Sequence, residues 1–584
     1  MAGPIRIAGF SGYLGDRRSA LDEAIAGDPV DVLIGDYLAE FTLAMLSARY
    51  RNDPSRGYVE YFLEQLRPHL ATIAERGTRV VVNAGGFNPS GLAEATRQLV
   101  TEAGADLAVA HVEGDNVLAR LDQLQAAGHD LASMDTGEPL SSWRARPVAA
   151  NAYLGGWGIA TALRAGADIV VCGRVTDASL TVGPAAWWHD WQRTDFDQLA
   201  AAVVAGHIIE CGPHATGGNF SGFAEIPGMV APGFPIAEIG ADGTTIITKH
   251  SADGGAVTVD TVTAQLVYEI QGPRYLNPDV TAHLDSVRLR QVEPDRVELS
   301  GTTGSAPPPT TKVALFAPIG HQIVTTLYAT GLDIDAKVAL IREQAAALLA
   351  APEAELDVSA LGTPAEDPQR QWESTVQVRV MATAAEREPL QRLVTGIGEL
   401  YLSSIPGFFT DTAARQAPTP STRIDYWPAL LALSTVDHVV VLQDGSRIDV
   451  GGPALTEKAV QPEHPEPAGF EPRTTRRVPL GRVAHARAGD KGGNSNVGLW
   501  VSDPEAWPWL RSLLTTDELR RLMPEAKDLE IVRHEFPNLR AVHFVLRGLL
   551  GTGGSSNLRV DPIGKAVGEF LRARHVEVPQ HLLG

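Results

Sequence analysis

Residues 151–180 read NAYLGGWGIATALRAGADIVVCGRVTDASL. The run 156–165 is small and apolar around Trp157 and reads as a helix, and 168–171 reads as a short buried strand. A polar loop, Gly173-Arg174-Val175-Thr176-Asp177, follows the strand and leads into another helix. The same alternation runs outward to the N-terminus, with strands at 5–8, 30–34, 79–82 and 107–112 and helices at 20–26, 41–48, 59–76 and 92–103. This predicts an α/β fold for the N-terminal part: a mostly parallel sheet with helices on both faces. Ligands of such sheets lie outside the carboxyl ends of the strands. The loops 9–16, 36–40, 83–89, 113–116 and 173–177 all follow predicted strands and should crowd one rim.

From residue 235 the texture changes. Residues 244–249, 256–262, 265–270 and 297–299 are β-rich, 335–351 and 389–402 read as helices, and 375–382 as a strand. An α+β middle region is expected here, as an insertion or a second domain. Prolines at 462, 465, 467, 472 and 479 then mark an extended linker. Beyond it, strands near Val483 and at 497–501 and 541–547, with helices at 506–514, 517–523 and 565–574, predict a small α+β domain. Val542, Phe544 and Leu546 alternate with His543 and Arg547, the pattern of a half-buried sheet with helices on one side. The expected organisation is a main domain, 1–460 (α/β over 1–234, α+β over 235–460), a linker, 461–479, and a C-terminal domain, 480–584.

With 584 residues, 44% hydrophobic and 20% charged, the chain has the composition of a soluble globular protein of roughly three to four folding units. A net charge of -21 repels phosphate backbones and argues against nucleic-acid binding. The two cysteines, Cys172 and Cys211, cannot form a disulfide scaffold and point to a reducing cytoplasm. No apolar run is long enough to cross a membrane.

The densest chemistry lies in AGHIIECGPHATGGNFSG, residues 205–222. His207, Cys211 and His214 have a metal-like spacing, but Pro213 interrupts the helix such a site needs, so no metal is expected. Glu210 lies among Ile208, Ile209 and Cys211, whose burial would raise its pKa and make it an acid/base group. Its structural reading is a buried carboxylate paired with an arginine. Cys211 is a weaker candidate nucleophile, since no base is placed beside it. The amides of Gly217, Gly218 and Asn219 are expected to stabilise an anion. On the predicted rim, Asp36 would share a helix face with Glu40. Asn83, Gly85 and Gly86 offer amides and a side-chain amide, and Arg174 either grips an anion or satisfies Asp177. The glycines of Gly9-Phe-Ser-Gly12-Tyr-Leu-Gly15 are misspaced for a dinucleotide loop. In the C-terminal domain Arg487, Asp490, Lys491 and Asn494 form a second polar cluster, read as a loop after a strand and, with the glycines of 551–556, as an anion pocket.

The blocks GFSGYLGDR, DVLIGDYLAE, VVVNAGGFNP, NAYLGGWGIATALRAGADIVVCGRVTDASL and AGHIIECGPHATGGNF resemble the acyclic terpene utilisation protein A (AtuA) family. RAGDKGGNSNVGLWV resembles the small AtuA-type C-terminal domain, here fused to the main one. The resemblance implies bacterial catabolism of branched acids as CoA thioesters and supplies no residue roles. Three readings follow. The first is an acyl-CoA hydratase/dehydratase or related lyase, with His207, Glu210, Asp36 and Cys211 as catalytic candidates and no cofactor beyond the thioester substrate. The second is a non-catalytic accessory subunit in an acyl-CoA carboxylase pathway. The third is a Cys- or metal-dependent hydrolase. A homo-oligomer and carboxylase-pathway proteins are the expected partners.

Overall fold

The structure, a computed structural model, describes residues 3–410, 418–468, 474–554 and 556–583, the side chains of Glu40 and Phe41 excepted. Five strands, β1 (Ile5–Ser11), β2 (Val32–Gly35), β3 (Arg79–Val82), β4 (Val109–Glu113) and β5 (Ile169–Cys172), pair in parallel in the order β1-β2-β3-β5-β4. Their side chains alternate between two cores, as the two-residue strand period requires. Ile5, Ile7, Val32, Ile34, Val81 and Val170 pack on the helices Trp157–Arg164, Ser179–Trp188 and Phe196–Ile209. Ala8, Phe10, Leu33, Val80, Val82 and Val171 face Ala20–Ala26, Tyr61–Leu66 and Pro89–Glu102. Both faces of the parallel centre are therefore covered, which is why its strands read as unbroken apolar runs.

The expected boundary at residue 235 lies inside this sheet. Pro235–Ile239 pairs antiparallel with β1, and Thr245–Lys249, Arg296–Ser300 and Arg288–Glu293 extend that edge. Val439–Val441 and Arg447–Asp449 extend the other edge from β4. The β-rich stretches expected over 256–262 and 265–270 are broken instead by the helix Val259–Leu266. Thr258 and Thr261 exchange hydrogen bonds in a capping box, and that local signal outweighs the β-branched composition.

Between these edges the chain builds a second layer. The strand Thr310–Thr330, helix Ile334–Leu349, strands Glu355–Leu361 and Thr375–Ala384, helix Arg387–Glu399 and strand Ser421–Ala432 follow one another as a split β-α-β unit with its own core. Its long first strand also pairs with Ala149–Ala152, which ties the layer to the main body.

The C-terminal unit holds a four-stranded antiparallel sheet in the order His485–Lys491, Asn494–Trp500, Ala541–Leu546, Ile531–Phe536. The expected loop over 485–496 is thus a hairpin. The expected half-exposed sheet is covered on both faces: Leu499, Val542 and Phe544 face the unit's own core, whereas Trp500, Phe536 and Ala541 join the core of the main body. His543 is consequently fully buried. Where described, the linker is also anchored, with Gln461 bonding both the N–H and the carbonyl of Arg274, and its expected last residues, Thr475–Pro479, are instead a strand paired with His575–Pro579. No helix among the described residues is long and apolar enough to cross a membrane.

Candidate functional site

The carboxyl ends of β1 to β5 and the end of the helix Phe196–Ile209 meet at one rim. At the end of β1, Gly12 presses on the turn after that helix: a Cβ there would stand 2.8 Å from the backbone of Cys211 and Gly212. Only glycine permits this approach. Asp36, after β2, lies in extended chain ahead of the helix Glu40–Asn52, so the helical spacing expected for Asp36 and Glu40 does not arise; the Glu40 side chain lies outside the described residues. Asp36 accepts from Asn83 Nδ2 at 2.6 Å and from the N–H of Leu38 at 3.0 Å, while Asn83 Oδ1 accepts the N–H of Tyr37. Asp115, after β4, accepts from Asn151 Nδ2 and from the N–H of Arg174, both at 2.8 Å. Arg174, after β5, donates to the carbonyl of Leu38 at 2.7 Å, pairs with Asp177 at 2.8 Å and stacks on Tyr153.

Glu210 sits immediately past the last residue of the helix Phe196–Ile209 and is 7% exposed. Its Oε1 lies 3.2 Å from His207 Nδ1, so its partner is a histidine rather than an arginine. Among the described residues, Glu210 Oε2 and His207 Nε2 have no hydrogen-bond partner. Burial, reinforced by the charge of Asp177, raises Glu210 well above the carboxylate range. The same two causes raise Asp36. Burial and then Lys491 lower His207 to about 4. These surroundings favour the protonated form of both carboxyls and the neutral form of the His207 imidazole. Burial, then Glu210, also raises Cys211, which disfavours the thiolate a nucleophile needs.

The C-terminal unit completes this site. Lys565 pairs with Glu269 and, at 3.1 Å, with Asp490, and Lys491 lies 3.8 Å from Glu269. Against the burial that opposes its ionisation, Lys565 and Lys491 hold Glu269 down to about 2. Glu269 takes a left-handed backbone, φ 53°, where its N–H donates to Asn496 Oδ1 across the interface. Arg487 reaches His214 and the carbonyl of Asn219 and stacks on Tyr268. Burial, then the Arg487 charge, lowers His214 to about 3. His207 and His214 therefore serve separate partners.

Several expected ligand groups are engaged elsewhere. The N–H of Gly217 bonds His214 O and that of Gly218 bonds Pro213 O, because the segment Gly212–Thr216 is a 3-10 helix closing on them. Those amides are not available to an anion. The Asn219 side chain bonds His214, and the Gly86 amide bonds Asn83 O. Gly85 serves close packing, since a Cβ there would stand 2.5 Å from Cys172 O. Asn494 clasps Asp135 and the N–H of Gly548 on an exposed edge, where Gly493 packs closely on the carbonyl of Gly551. Sequence reasoning missed Glu269, Tyr275 and Asn151. Tyr275, whose ring lies 4.9 Å from that of His207, comes from a strand in the middle region, and no local motif flags it.

A parallel-centred sheet with a polar rim, closed by a small α+β unit, defines a two-unit α/β protein with one composite site. The profile of the acyclic terpene utilisation family protein AtuA matches residues 5–442, and that of the AtuA ferredoxin-like domain matches residues 478–577. The chain belongs to the AtuA family, which is associated with acyclic terpene utilisation. No curated protein and no solved structure matches it.

Proposed function

We propose that this protein is a hydro-lyase of branched acyl catabolism that acts on an acyl-CoA thioester. The supporting observation is the buried Glu210 carboxyl, 3.2 Å from the His207 imidazole, with Oε2 lacking a partner among the described residues and burial favouring its protonated form. In the hydration direction, water adds at the β-carbon of an enoyl thioester. Glu210 delivers its proton to the α-carbon, and the proton lost by the attacking water restores the Glu210 carboxyl. Lys491, whose charge reaches both Glu210 and His207, stabilises the enolate oxygen between the two steps. Arg174 and Asp177 bound the site as an ion pair, and Asp36 is a second proton-holding group. Cys211 has no role in this scheme. A cytoplasmic location, a homo-oligomer and partners in an acyl-CoA carboxylase pathway belong to the same proposal.

The test is to incubate the full-length protein with branched and linear enoyl- and 3-hydroxyacyl-CoA esters and follow gain or loss of water by mass spectrometry. Turnover of a branched ester is expected. No turnover across the panel overturns the proposal, and carboxylase binding without turnover favours the accessory reading.

A further inference from the structure

We propose that a recess beside the helix Trp157–Arg164 binds the phosphate group of a soluble organic phosphate, held by Arg164 and Arg193. The recess measures about 450 Å³, within the range of small-molecule sites. The guanidinium carbons of Arg164 and Arg193 lie 5.7 and 5.0 Å from the centroid of the same Trp157 ring. Carbonyl groups orient both side chains. Arg164 donates to Ala186 O and Trp191 O at 3.1 and 3.3 Å, and Arg193 donates to Val450 O at 2.6 Å. Carbonyls fix the forks in place without cancelling their charge, so two oriented cations share one space. Thr161 and Thr194 also line the recess.

Two carboxyls face this pair. Asp190 stands 3.5 Å from Arg164 but is 86% exposed, where such a pair is weak. Asp279, whose charge reaches Arg193, is engaged by the N–H of Gly156 and raised to about 6 by burial. In a chain of net charge -21, a pocket lined by two arginines reverses the prevailing sign. Planar guanidinium forks suit phosphate oxygens better than a lone ammonium does. The recess lies outside the rim cluster, and the proposal does not depend on the hydro-lyase reading.

Isothermal titration of the full-length protein with inorganic pyrophosphate and, separately, with coenzyme A tests it. Saturable binding of at least one probe is expected, weaker at high salt. Binding of both, or of pyrophosphate alone, identifies the bare phosphate as sufficient; binding of coenzyme A alone supports the recess only where Arg164→Gln weakens it, because an acyl-CoA site at the rim would leave that variant's affinity unchanged. Arg193→Gln and Arg164→Gln should each lower affinity by about tenfold or more, the scale of one charge-assisted hydrogen bond. Asp190→Asn should raise affinity about threefold by removing a like charge. Asparagine tolerates the left-handed backbone of Asp190, φ 53°, so the fold should persist. Should Arg193→Gln not fold, the partly exposed Arg164 and the exposed Asp190 still decide the matter. No binding by the folded wild type, or affinity unchanged in both Arg164→Gln and Asp190→Asn, overturns the proposal.

Discussion

Glu210 couples two measurable properties through one carboxyl. If its proton is the one transferred, Glu210→Gln keeps the shape and loses the transfer, so turnover should fall by about 10²–10⁴-fold. The same substitution reads out the ionisation independently of activity. A carboxyl whose folded pKa is raised adds stability below its unfolded value of about 4.3, and that stability is lost as pH rises through the folded pKa. The wild type should therefore lose melting temperature relative to Glu210→Gln as pH is raised from about 5 to 9, measured by calorimetry; a pH-independent difference would contradict the assignment. Glu210 was legible in sequence because its apolar neighbours announced desolvation. Its histidine partner follows from the same local pattern: Glu210 keeps helical backbone angles, φ -60° and ψ -38°, so the three-residue spacing puts it on the face of His207. Gly217 and Gly218 mislead in sequence because glycine content reports backbone freedom, whereas hydrogen-bond supply depends on the turn the glycines adopt.

At the level of elements, the parallel strands were readable because covering both faces demands continuous apolar runs, and such runs are local. The helix Val259–Leu266 was misread as strand because its threonines and valines favour β structure on average, while the deciding information was the Thr258–Thr261 capping box. This helix leads directly to Tyr268 and Glu269, and its Gln265 side chain donates to His207 O at 3.0 Å. Thr258→Ala should cost about 1 kcal/mol at the cap. Amide exchange in the first turn of the helix should accelerate about fivefold, as seen by hydrogen-deuterium exchange. Unchanged protection would mean that tertiary packing alone holds this helix.

Across the whole molecule, the C-terminal unit is docked by charge at the site and by apolar burial beside it. Removing Glu269 leaves Lys565 and Lys491 facing each other without their shared carboxylate. Glu269→Ala should loosen the docking and speed limited proteolysis within the 461–479 segment, with little change in either core. The buried His543 gives a second handle on the same interface. Burial, and then His534, lowers it to about 3, so its neutral form contributes stability above the unfolded value of about 6.5 that is lost as pH falls toward the folded value. His543→Leu should therefore gain on the wild type between pH 7 and pH 4 in thermal melts, and equal pH slopes would refute this. By itself, the sequence determined the α/β class and the rim of strand ends, because both rest on short-range periodicity. Only the tertiary structure decided that the middle region extends the first sheet and that a helix end, five strand ends and the C-terminal hairpin share one site. Those are contacts between residues hundreds of positions apart, set by which apolar faces find each other and by which charges must then be paired at the seam.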